Sequence, residues 1–320
     1  MGAYGLATHI WNNNIKSALL LAGFPVLLLV LMYALNVGYV GLAYDISSVG
    51  EGLALALENL GRTWPFAALG AAVWFAIAFL SHQALINLST GAKPVTRGEA
   101  PELYNMLENL CISRGVPAPK LQIIETPAMN AFASGIAEKN YAITLTRGII
   151  DALDKDELEA VMAHELTHIR NKDVRLLIIA VIFVGIFSFV GEMVFRNIFR
   201  TGVRIGGHAS SRKGDSRGGG VLILIAIALI ALAYVLAMVI RFSLSQKREY
   251  LADAGAVDLT KNPDGMISAL KKISGRSEVD APGEVRQMML DNSTSFSGLF
   301  ATHPSIEKRI AALQNYAGGA

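Results

Sequence analysis

Two apolar runs, residues 176–195 and 221–240, stand between two short motifs rich in metal-ligating side chains. The first motif is His164-Glu165-Leu166-Thr167-His168, and the second is Arg248-Glu249-Tyr250-Leu251-Ala252-Asp253. Each run has close to the roughly 20 apolar residues that a helix needs to cross the hydrocarbon core. If both motifs hold one ion, the chain leaves one side of a bilayer and returns to it between them. No other feature restricts the fold as strongly, because it calls for an aqueous domain cut in two by a membrane hairpin.

Composition agrees. Of 320 residues, 52% are hydrophobic and only 17% charged, against about 25% charged in soluble domains. Two more runs qualify as spans, 17–44 and 64–80, the second being the shortest, with Ala84 to Ile86 able to extend it. The first is too long for a cleaved leader and follows a single strong positive charge, Lys16, so it reads as a retained anchor. Pro25 is expected to bend it. Residues 45–62 form an acidic connection between these spans. The net charge of +2 says nothing about nucleic acid, and with no basic face interleaved with aromatics no nucleic-acid partner is expected. The single cysteine, Cys111, rules out an internal disulfide framework and suits a reducing compartment. Its place among Leu103, Leu107 and Leu110 marks it as a small buried apolar residue.

Four parts follow: a membrane hairpin (1–88), a first catalytic part (89–175), a second membrane hairpin with a basic Gly-rich loop (176–240), and a second catalytic part (241–320). Within the first catalytic part, residues 102–115 have helical periodicity and Gly115 supplies the stop. Residues 121–124 read as a strand. Residues 131–136 and 141–146, about the polar turn Glu138-Lys139-Asn140, read as a hairpin. A helix then begins at an Asp154 cap with Glu157 three residues on, a capping-box signature. Its apolar face is Leu158, Val161, Met162, Leu166 and Ile169.

That helix carries His164 and His168 one turn apart on one face, where two neutral imidazoles can close on a single zinc. Glu165 beside them is the candidate general base, taking a proton from activated water and passing it to a leaving amine. A catalytic zinc takes three protein ligands and one open position. The six histidines are His9, His82, His164, His168, His208 and His303. None follows the first motif closely, so a carboxylate is expected as third ligand, and Glu249 is the candidate. Asp253, one turn further, can accept the distal N–H of His164 and fix its tautomer.

The combination of HELTH, two following spans, REYLADAGA and Thr302-His303-Pro304-Ser305-Ile306-Glu307-Lys308-Arg309-Ile310 resembles the HtpX family of bacterial membrane zinc metalloproteases, relatives of the CAAX prenyl endoproteases. The resemblance covers residues 65–315. It implies a mostly α membrane protein with four transmembrane helices and a split cytosolic α+β zincin-type (gluzincin) domain with a small β-hairpin sheet. It implies one Zn2+ on His164, His168 and Glu249, with Glu165 as base. The implied function is endoproteolysis in quality control of membrane proteins in the cytoplasmic membrane, with self-cleavage on purification. Asn130, in Met129-Asn130-Ala131-Phe132-Ala133, resembles the family's cleft-lining segment. There an edge strand could pair with an extended substrate while the Asn amide holds a substrate carbonyl. A turn residue at a strand start is the other reading. His303 matches the family's His-Pro and could donate to charge developing on the carbonyl oxygen. Arg309 has two readings, orienting a nearby carboxylate or lying on the surface.

The acidic first connection suits the outer side and puts the catalytic domain in the cytoplasm. One feature opposes this. Arg196, Arg200, Arg204, Arg212, Lys213 and Arg217 then lie outside, against the positive-inside tendency. Two other functions share the motifs. One is a prenyl-peptide endoprotease, which needs a larger apolar chamber than four spans seem able to build. The other is a membrane scaffold with a structural zinc, which would have four protein ligands and no adjacent base.

Overall fold

In a computed structural model of the chain, the described residues are 11, 15, 18–19, 21–200, 217–274, 276–277, 279, 288–290 and 304–318. They divide into two compact units, one of residues 18–78 and 180–241 and the other containing 79–179 and 242–320.

The first unit holds the apolar helices. Helix α1 (Gly23–Ala43) begins just before Pro25, so the proline lies in the first turn, where its missing N–H has no intrahelical partner to lose. Helix α2 (Val49–Thr90) is 42 residues long. Residues 49–62, expected as a connection, are therefore helical. Leu53, Ala56, Leu57 and Leu60 recur at helical spacing, and no proline precedes Pro65 to interrupt them. Helices α6 (Asp173–Arg200) and α7 (Arg217–Thr260) supply the other two spans. The apolar stretches of all four helices are long enough to cross a membrane, and the chain is a membrane protein. Phe24 stacks on Phe183 with ring centroids 4.9 Å apart. Val37, Val40, Ile46, Ala56, Leu222 and Ala226 close a buried cluster. Asn36 donates to the Thr63 hydroxyl at 3.0 Å, a polar clasp between α1 and α2. Of the basic loop, Arg196 and Arg200 belong to α6 and Arg217 opens α7, while Arg204, Arg212 and Lys213 lie outside the described residues.

The second unit is a mixed α+β fold. Its sheet has the order β1-β2-β4-β3, with β1 (Lys93–Pro94), β2 (Lys120–Ile124), β3 (Ala131–Ser134) and β4 (Ala142–Thr146). Strands β3 and β4 pair antiparallel with Phe132 opposite Thr144, which is the expected hairpin. Gly135 leaves β3 with φ +106, a conformation that glycine adopts without steric cost. Strand β2 lies parallel to β4, so the hairpin is one part of a four-stranded sheet with β3 at its edge. Around the sheet lie α3 (Pro101–Ile112), α4 (Arg147–Ala152), α5 (Lys155–Arg170), α8 (Pro263–Ile273) and α9 (Ile306–Gly318). Cys111 is buried on α3, and burial pushes its thiol up to about 11, so it is inert.

Helix α5 starts with a full capping box. The Glu157 N–H donates to Asp154 Oδ1 at 3.0 Å and the Asp154 N–H donates to Glu157 Oε2 at 2.8 Å. Glu157 also accepts from Ser268 Oγ and Lys272 Nζ, both at 2.6 Å, which ties the start of α5 to α8. Leu158, Val161, Met162, Leu166 and Ile169 are all buried. The apolar face and the cap together hold the motif-bearing turn in place.

Candidate metal centre

Helix α5 presents His164 and His168, and α7 presents Glu249 and Asp253, each pair spaced by four and therefore on one face of its helix. The two helices approach closely because position 255 is glycine. A Cβ there would overlap the side chain of Thr167.

The Nε2 atoms of His164 and His168 lie 3.1 Å apart. Glu249 Oε2 is 3.6 Å from His164 Nε2, and Glu249 Oε1 is 3.4 Å from His168 Nε2. Among the described residues these three form a group able to hold a metal ion. Donors bound tetrahedrally at roughly 2.0–2.1 Å stand about 3.3 Å from one another, so the observed triangle already has the size that zinc requires.

Each histidine is also approached from its other nitrogen. His164 Nδ1 lies 2.9 Å from Asp253 Oδ1, off the line of an ideal hydrogen bond, and His168 Nδ1 lies 3.2 Å from Asp173 Oδ2. Both carboxylates are in turn held by arginines. Arg248 donates to Asp173 Oδ1 at 2.6 Å. Arg309 donates through Nε to Asp253 Oδ2 at 2.9 Å and through its NH2 to Oδ1 at 2.6 Å. Its NH1 reaches the Leu290 carbonyl at 2.8 Å. Arg309 is 1% exposed, so the carboxylate-orienting reading holds and the surface reading does not.

The charges do not balance. Among the described residues, Glu165, Asp173, Glu249 and Asp253 are buried together with Arg248 and Arg309. With these six ionised and both histidines neutral, as metal ligands are, the group carries two excess negative charges, which a dication or two imidazole protons would match. Burial works against charge on His168, but Asp173 and Glu249 outweigh it and raise the imidazole well above its usual range. His164 is raised too, burial being outweighed by Asp253 and Glu249. Burial also raises the Glu165 carboxyl, against the positive neighbours that lower it. The donor set therefore fits a divalent metal on both geometry and charge.

The structure thus brings together His164, Glu165, His168, Glu249 and Asp253. Asn130 immediately precedes β3 and is 1% exposed. Its amide donates to the Ser277 carbonyl at 2.7 Å, and its Oδ1 accepts from the Ala131 N–H at 2.9 Å. His303 lies outside the described residues. Two participants went unforeseen, Asp173 and Arg248. Asp173 opens a membrane helix and reads as its N-terminal acid, while Arg248 reads as the charge that follows a span. The signal that could have found them is the spacing of five from His168 and the adjacency to Glu249.

Comparison with known proteins agrees with this geometry. Residues 98–317 match peptidase family M48. A protease HtpX homolog of Bacteroides fragilis is 41% identical over 326 residues, covering 98% of this chain and 99% of its own. Homologs from Listeria monocytogenes (39% identical, covering 78% and 85%) and Ligilactobacillus salivarius (34%, covering 97% and 99%) carry the same name. The crystal structure of S. mikatae Ste24p aligns with a TM-score of 0.50 and 19% identity, over 96% of this chain and 67% of that one, a likeness of fold alone. The His-His-Glu triangle with a glutamate beside it, on a chain with four candidate spans, therefore has its family: the protein is a membrane-bound metalloprotease belonging to peptidase family M48, among the HtpX proteases.

Proposed function

We propose that the protein is a zinc endopeptidase of the bacterial inner membrane that cleaves misfolded or damaged membrane proteins, with its catalytic unit in the cytoplasm. The observation that carries the metal assignment is the triangle of His164 Nε2, His168 Nε2 and a Glu249 carboxylate, with sides of 3.1, 3.4 and 3.6 Å. Zinc bound there supplies Lewis acidity toward water and the scissile carbonyl. Glu165 takes the proton of the attacking water and delivers it to the leaving nitrogen. Asp253 and Asp173 hold the two imidazoles in the tautomer that presents Nε2 to the metal.

Strand β3 pairs with β4 on one side; on the other the Ala131 carbonyl accepts from the Leu290 N–H at 2.8 Å, and a substrate in extended form adds along the edge beyond it. Asn130 is held by the Ser277 carbonyl and the Ala131 N–H, and its amide, with two N–H donors, is the proposed grip on a substrate carbonyl. His303 is the proposed donor to charge on the carbonyl oxygen, on the strength of its His-Pro alone.

The test is paired. Full-length protein is purified in detergent with a chelator present, to prevent self-cleavage, then supplied with zinc. Metal content and casein hydrolysis are compared between wild type and Glu165→Gln. Stoichiometric zinc in both with cleavage only by the wild type is the expected result. Equal cleavage by both would remove Glu165 as base.

A further inference from the structure

Arg170, Lys172 and Arg175 line a cavity of about 490 Å³ together with the apolar Phe79, Val116, Pro117, Ile136 and Ile169, and with Tyr141 and one carboxylate, Glu138. All three cations are exposed, and among the described residues none makes an ion pair. The metal centre uses none of them.

Cations commonly flank membrane helices, and a helix C-terminus attracts them. That suffices for Arg170, in the last turn of α5. It does not suffice for the other two. Lys172 has φ +61, a left-handed conformation that is costly for a side-chain-bearing residue and that Gly or Asn adopts more cheaply. Lys261 has the same conformation at φ +57, but its ammonium is paired with Asp258 at 2.8 Å. Lys172 accepts the same strain with no such partner among the described residues. Arg175 is in the first turn of α6 (Asp173–Arg200), where the helix dipole disfavours positive charge. Two of the three cations thus stand where local physics opposes them, and all three turn to one hollow.

The hollow's position names the anion. Arg175 is the third residue of an apolar span, Asp173–Arg196, and the wall between the cations is hydrocarbon rather than polar. A soluble phosphate has no use for that wall, whereas a lipid whose phosphate meets the cations lays its glycerol and first methylenes against it. We infer that this cavity is a binding site for the phosphodiester headgroup of an anionic phospholipid, seated on the two-residue joint between the motif-bearing helix and its membrane helix.

The experiment uses the full chain with Glu165→Gln, in a non-ionic detergent. Native mass spectrometry titrates dioctanoyl phosphatidylglycerol, dioctanoyl phosphatidylcholine and inorganic phosphate. One phosphatidylglycerol per chain is expected, bound about tenfold or more tightly than phosphatidylcholine and not displaced by millimolar phosphate. The triple substitution Arg170→Gln, Lys172→Gln, Arg175→Gln weakens it at least tenfold. The triple Lys93→Gln, Lys120→Gln, Lys271→Gln, which removes three exposed cations elsewhere on the unit, leaves it unchanged. Lys172→Gly separates site from fold: it relieves the left-handed strain, so the thermal midpoint holds or rises while phosphatidylglycerol binding falls. Equal loss in both triple variants, equal binding of the two lipids, or displacement by free phosphate would each overturn the proposal.

Discussion

Asp173 sits between an imidazole and a guanidinium, accepting from Arg248 at 2.6 Å while its other oxygen lies 3.2 Å from His168. Carboxylates so placed raise ligand basicity and fix ring orientation, and their loss typically costs 10–100-fold in metal affinity. Asp173→Asn should therefore weaken zinc binding about 10–100-fold, read by competition with a chromophoric chelator, and lower turnover only in proportion to the metal lost. Glu165→Gln should behave in the opposite way, with zinc retained and hydrolysis reduced by about 10²-fold or more. Arg309 has a different dependence. Arg309→Met strips a buried carboxylate of its partner and should cost about 3–5 kcal/mol, measured by thermal or denaturant unfolding of the zinc-loaded protein. Lysine at that position keeps the charge but loses the two-pronged grip, so it should restore only part.

The elements that carry these residues are joined at two identifiable places, the crossing of α5 and α7 at Gly255 and the tie from α5 to α8 at Glu157. Gly255→Ala forces the helices apart at Thr167, and with them the Glu249 carboxylate from the histidines. Overpacking of this kind costs about 1–3 kcal/mol, and here zinc affinity should fall with it. At the other join, burial alone would raise Glu157, but bonds from Lys272, Ser268 and the Asp154 N–H lower it overall. A carboxyl depressed in the folded protein stabilises above its unfolded pKa, near 4.3, and that contribution is lost as pH falls through its folded value. Glu157→Gln should therefore cost stability at neutral pH and flatten the acid limb of a melting-temperature profile. The capping box, the apolar face of α5 and the β3–β4 hairpin were legible in the sequence because each is a local pattern of a few residues. The parallel pairing of β2 with β4 was not, since it depends on a partner some twenty residues away. Nor was the upward extension of α2, where acidic residues on an exposed helix face look like a loop. Asp173, Arg248 and the burial of Arg309 were hidden for a related reason. An ion pair between sites 75 positions apart, such as Asp173 and Arg248, leaves no periodicity behind.

At the scale of the molecule, the two excess negative charges of the centre make the metal part of the fold. Removing zinc with a chelator should lower the thermal midpoint of the wild type by several degrees, since a ligand that binds only the folded state stabilises it by mass action. Readdition should restore the midpoint, and a midpoint indifferent to chelator would count against the charge argument. The proposed orientation has its own test. In a Cys111→Ser background, Glu58→Cys should react with an impermeant maleimide in intact cells, and Lys155→Cys only after lysis. The reverse pattern would place the catalytic unit outside. The last feature concerns time. Asp253 is held by Arg309, on α9. During synthesis the ribosome makes both histidines and Glu249 before it makes that arginine. A chain still being translated therefore carries its metal ligands while the carboxylate behind one of them still waits for its guanidinium.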